Sequence, residues 1–144
     1  MREILFKGKR IDNGEWIEGH YTECRGETFI GVDTSSMFEI FCPPVIRWFK
    51  VRSETICQFT GLYDRYGNKI WENDILKTWS DEYAQVKFGF YNTGFAIGNY
   101  NQGFYAAFPE DSYYRHELGY WCKESYVIGN IFDNKELLQE EHNE

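Results

Sequence analysis

The spacing of its turns limits this chain more than any other feature. Runs of five to seven residues rich in Ile, Val, Phe, Tyr and Trp alternate with Gly, Asn and Asp clusters. Short strands at such spacing point to an all-β barrel or sandwich rather than to βαβ units. The first pair is the clearest. Residues 4–10 and 15–21 flank Asp12-Asn13-Gly14, and Asn-Gly tolerates the positive φ of a tight hairpin turn. Residues 28–32, 45–51 and 55–60 read as further strands, the last ended by Gly61. Residues 38–41 read as an edge strand before Pro43-Pro44, which removes two backbone donors. An Asp/Gly/Asn-rich turn over 64–68 and a tighter one at Glu72-Asn73-Asp74 precede strands at 74–79, 84–88, 95–100 and 126–132. One short C-terminal helix, 134–140, is expected, capped by Asp133 or Asn134 with Glu136 in capping-box spacing. Residues 101–123 carry no clean periodicity, only aromatics punctuated by Gly103, Pro109 and Asp111.

Composition narrows the function classes. Aromatic residues make up 19% of the 144, against two Met and three Pro, which again favours strands. A net charge of −8 disfavours loose electrostatic binding to nucleic acid or anionic lipid. No run of 18 apolar residues occurs, and Met1-Arg2-Glu3 leads into Ile4-Leu5-Phe6 without a signal-peptide core, so a soluble cytoplasmic chain with no membrane partner is expected. Cys24, Cys42, Cys57 and Cys122 contain no C-x-x-C pair and are expected to stay thiols. The local pairings His20 with Cys24 and His116 with Cys122 fall short of a four-ligand zinc set, so no metal is expected. No P-loop, G-x-G-x-x-G or G-x-S-x-G motif is present, and no cofactor is expected.

Charge is divided unevenly. Residues 1–60 hold eight basic and nine acidic groups, whereas 61–144 hold seven and fourteen. The strand style changes at the same place. Two small β lobes, 1–60 and 61–144, are expected, or one compact unit with an N-terminal β extension.

Three stretches carry a family resemblance. Arg2-Glu3-Ile4-Leu5-Phe6-Lys7-Gly8 with Gly14-Glu15-Trp16-Ile17-Glu18-Gly19 opens it. The specific part is Ser53-Glu54-Thr55-Ile56-Cys57-Gln58-Phe59-Thr60-Gly61-Leu62-Tyr63-Asp64, then Gly67-Asn68-Lys69-Ile70-Trp71-Glu72-Asn73-Asp74-Ile75-Leu76-Lys77. Residues 127–138, Val-Ile-Gly-Asn-Ile-Phe-Asp-Asn-Lys-Glu-Leu-Leu, close it. Together they resemble the YopX family, which implies a phage- or prophage-encoded, mostly-β protein of unknown biochemical role. Asn73 stands where the family usually has Gly, and Cys57 where it has a small residue; Asn and Gly both accept positive φ. The turn-and-strand order of the C-terminal half is also similar to that of small, partly open SH3-like barrels, an analogy that bears on architecture alone.

Three constellations could carry chemistry. Asp64, Glu72 and Asp74 could serve as acid and base or hold a hard cation, but Asp in turns ordinarily bonds its own backbone, and that reading is preferred. Arg47, Trp48, Lys50 and Arg52 form the basic-aromatic segment, suited to stacking bases and following phosphates, or simply a strand with its cations in water. The aromatics Tyr105, Phe108, Tyr113, Tyr114 and Trp121 are a candidate contact surface, because Tyr and Trp are enriched where proteins meet. No catalytic residue is assigned.

The expectation is a non-enzymatic accessory protein that self-associates and contacts a host or phage protein in the bacterial cytoplasm. The alternative is a nucleic-acid-associated module in phage DNA metabolism using residues 47–52. A gel shift at ~150 mM salt, where exposed charges are screened beyond ~8 Å, is expected to show no duplex DNA binding. Micromolar binding that weakens steeply with salt would favour the alternative.

Overall fold

A computed structural model of the protein describes residues 3–34, 45–92, 100–109 and 116–139. The expected edge strand at 38–41, Cys42, the two prolines after it, Tyr113, Tyr114 and most of the expected strand 95–100 lie outside them. The described chain is all-β, with antiparallel strand pairs and two short helices. It divides into two compact units, Met1–Phe59 and Thr60–Glu144.

The first unit contains β1 (Phe6–Lys9), β2 (Trp16–Cys24), β3 (Glu27–Asp33), β4 (Ile46–Val51) and the start of β5 (Cys57–Tyr63), in the order β4-β3-β2-β1-β5. Gly14 takes φ +72° and donates its N–H to Arg10 O at 2.9 Å, closing the β1–β2 hairpin as Asn-Gly chemistry demands. The β2–β3 turn was less legible. Arg25 and Gly26 both take positive φ, the mirror-image turn that matches strand twist, yet Arg is no turn signal. The sheet curls until β4 meets β1: Ile11 donates to Lys50 O (3.1 Å) and Arg52 to Lys9 O (2.9 Å). Ile30, Val51, Cys57 and Phe59 are buried inside. The buried Thr55 hydroxyl donates to Arg52 O (2.6 Å) and accepts the Lys9 N–H (2.9 Å), so the turn between β4 and β5 is tied to β1.

In the second unit β5 runs on past Gly61, whose φ of +85° bends the strand without ending it, a correction to the expected stop. There β5 pairs β6 (Lys69–Trp71). A four-stranded sheet follows, in the order β10-β7-β8-β9, from β7 (Asp74–Thr78), β8 (Tyr83–Asn92), β9 (Tyr100–Ala107) and β10 (Ser125–Asn130). Helix α1 (Leu118–Glu124) places Leu118, Trp121 and Cys122 on one buried face. They pack with Ile70, Leu76, Val86, Ala84, Ala106 and Phe108. Both β9 and α1 fall where the sequence showed no periodicity, so the expectation of a single helix is corrected to two. The expected C-terminal helix is one turn, α2 (Glu136–Gln139), and Asn130 holds the turn before it by accepting the N–H groups of Phe132 and Asp133, each at 2.9 Å. Among the described residues no helix is long and apolar enough to cross a membrane.

Two glycines test this packing from opposite sides. A Cβ at Gly19 would run into the Gly31 carbonyl oxygen, which is backbone and has no rotamer to yield. Gly119 lies in α1 with open space around it. In urea titrations Gly19→Ala is expected to cost ~1–3 kcal/mol. Gly119→Ala is expected to gain ~0.5–1 kcal/mol through helix propensity.

Candidate functional site

Two of the three acidic residues, Asp64 and Asp74, bond the backbone of their turns. Asp64 is 6% exposed, and its carboxylate accepts N–H groups from Tyr66 (2.9 Å), Asn68 (2.8 Å) and Val127 (2.9 Å), plus the Asn68 amide at 3.2 Å. Burial alone would raise its pKa; these donors, Val127 and Asn68 foremost, outweigh burial and hold it below the ordinary 3.8. Asp74, also buried, accepts the Trp71 N–H at 2.8 Å across the second turn. Between them Asn73 takes φ +71°, the conformation expected where the resembling sequences carry Gly. Each Asp side chain is therefore committed to backbone donors. Glu72 is half-buried beside them.

These bonds also close one edge of the four-stranded sheet. Asp64 takes the Val127 N–H, Arg65 N donates to Ser125 O (3.1 Å), and the Asn134 side chain accepts the Asn130 N–H (3.3 Å). Every one of these contacts lies along β10.

Strand alternation scatters the basic-aromatic segment. Trp48 and Lys50 point to one face of β4, Arg47 and Phe49 to the other. Arg47, Trp48, Lys50 and Arg52 are all exposed, and Lys50 is engaged by Glu27 at 2.8 Å. The Arg10 guanidinium lies 4.4 Å from the centre of the Phe49 ring.

The aromatic segment divides sharply. Phe108 and Trp121 are buried, their rings in edge contact at 4.8 Å, so both belong to the core and not to an outer surface. Tyr105 is half-buried and stacks on Tyr91 at 5.7 Å, beside a depression of about 270 Å³ that His116 also lines. The exposed aromatics lie elsewhere. Antiparallel register places Ala84, Val86, Phe88 and Phe90 of β8 on the same face as Ala106, Phe104, Gln102 and Tyr100 of β9. At the base of the hairpin this face is core, with Ala84, Val86 and Ala106 fully buried. Farther out it emerges bare: Phe88 is 54% exposed, Tyr100 58% and Phe90 72%. Phe88 and Phe104 meet edge to face at 5.1 Å, and no charged side chain shares the strip.

Sequence reasoning missed Phe88 and Phe90 as surface residues. The available signal was the apolar alternation 84, 86, 88, 90, which marks one face but not how much of it is covered. Among the described residues no three His, Cys, Asp or Glu side chains gather as a metal ion would require.

Fold and surface together define an all-β protein that presents an uncharged aromatic strip on one sheet and spends its most clustered carboxylates on its own turns. The chain belongs to the YopX family: the family model described as YopX protein matches residues 3–139. None of the curated proteins compared with the chain matches it.

The role of Asp64 is open to direct measurement. Its pKa is lower folded than unfolded, so its contribution is complete above about pH 4 and is lost as pH falls through the folded value. Asp64→Asn, which keeps the size and loses one acceptor oxygen, is expected to cost ~2–4 kcal/mol at pH 7, since buried N–H groups are left unpaired. The variant's stability should also depend less on pH between 4 and 2 than the wild type's.

Proposed function

We propose that this YopX-family chain is a phage- or prophage-encoded accessory protein of the bacterial cytoplasm that acts without catalysis, through protein contacts, and that a second copy of itself is one of its partners. The observation that carries the reading is the bare half of the β8–β9 face. Phe88, Phe90 and Tyr100 prolong a core surface beyond the point where the core ends. Contiguous exposed rings of this kind are uncommon on monomers and typical of surfaces that another protein covers. The absence of charge on the strip matters for the choice of partner. A chain of net charge −8 repels its own copies, and a neutral strip is where two copies approach with least repulsion. A two-fold dimer is the commonest closed arrangement for such a patch.

The nucleic-acid alternative draws no comparable support, because Arg47 and Lys50 lie on opposite faces of β4 and Lys50 is paired with Glu27. Sedimentation equilibrium tests the preferred reading. Wild type is expected to self-associate at tens of micromolar, well below ~1 mM, the weak end of specific affinity. The double variant Phe90→Glu/Tyr100→Glu, which places charge at two exposed positions, is expected to be monomeric with an unchanged circular dichroism spectrum. A wild type that stays monomeric up to ~1 mM overturns self-association.

A further inference from the structure

The strands at the sheet margins are not protected alike. An edge strand exposes a row of N–H and C=O groups that invite another strand, and proteins ordinarily blunt it with charge, proline or cover. On β4 the exposed Arg47 and Lys50 supply charge, and Ile11 covers the far end by bonding Lys50 O. On β10 the edge is covered by Asp64, Arg65 and Asn134. β9 differs. Its sequence, Tyr-Asn-Gln-Gly-Phe-Tyr-Ala-Ala, has neither a charge nor a proline.

Among the described residues, cover is seen at one end of the β9 edge. Ala106 donates outward to His116 O at 2.8 Å, and Tyr105 bridges Glu117. The two-residue period then turns the backbone N–H groups of Phe104, Gln102 and Tyr100 the same way, away from β8. Among the described residues no hydrogen bond is made to these three outward N–H groups. The same phase puts the side chains of Tyr100, Gln102 and Phe104 on the aromatic face. Open backbone thus lies beside the exposed ring of Tyr100, while Phe104, half-buried against the core, marks where the edge passes under cover.

We infer that this edge takes a second copy of itself: two β9 strands pair antiparallel across a two-fold axis at Gln102, joining two four-stranded sheets into one. The inference rests on the self-association proposed above and specifies how it occurs. Antiparallel pairing about Gln102 is self-complementary, because it sets Tyr100 against Phe104 of the partner subunit and gives the outward N–H groups of Gln102 and Phe104 the outward carbonyls of Gln102 and Tyr100 as acceptors. Aromatic pairs directly across antiparallel strands are favourable, and here each two-fold contact makes two. No like charges are brought together along the pairing strands, although the chain carries −8.

The decisive variant is Gln102→Pro. It removes an outward N–H and sets a ring on the edge, a position where proline is tolerated by the sheet itself, and it leaves the aromatic strip uncharged. Sedimentation equilibrium is expected to show dimerisation weakened ~tenfold or more, since symmetry removes two hydrogen bonds at once. Residue-resolved amide exchange on the unmodified protein gives an independent reading should the variant fold poorly. Raising the concentration from ~10 μM to ~1 mM, across the range of weak specific affinities, is expected to slow exchange at Tyr100, Gln102 and Phe104 while Asn101 and Gly103, already bonded to β8, stay unchanged. A Gln102→Pro protein that dimerises as tightly as wild type overturns strand pairing. So does concentration-independent exchange at Gln102 and Phe104 in a protein that is dimeric. In either case dissociation by Phe90→Glu/Tyr100→Glu would leave the aromatic contact standing. A monomeric wild type overturns both.

Discussion

The second unit depends on one carboxylate. Asp64 gathers the N–H groups of Tyr66, Asn68 and Val127, and so holds a tight turn and the edge of β10 with the same two oxygens. A neutral side chain at this position could shape the turn but would leave Val127 without its acceptor. An ionised carboxylate bonded to several N–H groups is stronger than a neutral acceptor, and its low pKa keeps it ionised through the physiological range. Asp64 and Asp74 therefore act as structural acceptors for the two turns and the β10 edge.

The candidate surface arises from a mismatch of lengths. β8 has ten residues and spans about 33 Å at strand rise. Helix α1 has seven, about 10 Å at helical rise, and covers only the base of the β8–β9 face. What the helix covers is core: Ala84, Val86, Ala106 and, beside them, Phe108 and Trp121. What it does not reach is bare: Phe88, Phe90 and Tyr100. The same alternating pattern produces both, and the cover alone distinguishes them.

That distinction also explains what could be read beforehand. The β1–β2 hairpin, the turns at 64–68 and 72–74 and the left-handed Asn73 were legible, because each is fixed by local backbone chemistry at Gly14, Asp64, Asn73 and Asp74. The family resemblance was legible for the same reason, its most specific stretch being that pair of turns. Residues 100–124 were not. β9 contains Gly103 and pairs through β8, and α1 has Glu117 as an N-cap that makes no side-chain bond and contains Gly119, so local signals favour neither element. The helical spacing of Leu118, Trp121 and Cys122 was present but too short to stand out against the surrounding aromatics. Assigning Phe108 and Trp121 to an outer contact followed from counting rings, whereas burial depends on which rings lie under the helix.

The bond between Asp64 and Val127 joins residues 63 positions apart. Contacts of such separation form only after a long loop has closed, and that closure opposes them entropically until neighbouring structure is in place. The hairpin of β8 and β9 pairs residues much closer in sequence and can form early. Until that bond forms the β10 edge lacks the cover of Asp64, at the stage when chains are most prone to stick together. The excess of acidic groups after residue 60, fourteen against seven basic, places mutual repulsion on the half of the chain that passes through this state. Its charge thus acts before the native structure exists, as a kinetic safeguard for a sheet whose last margin closes late.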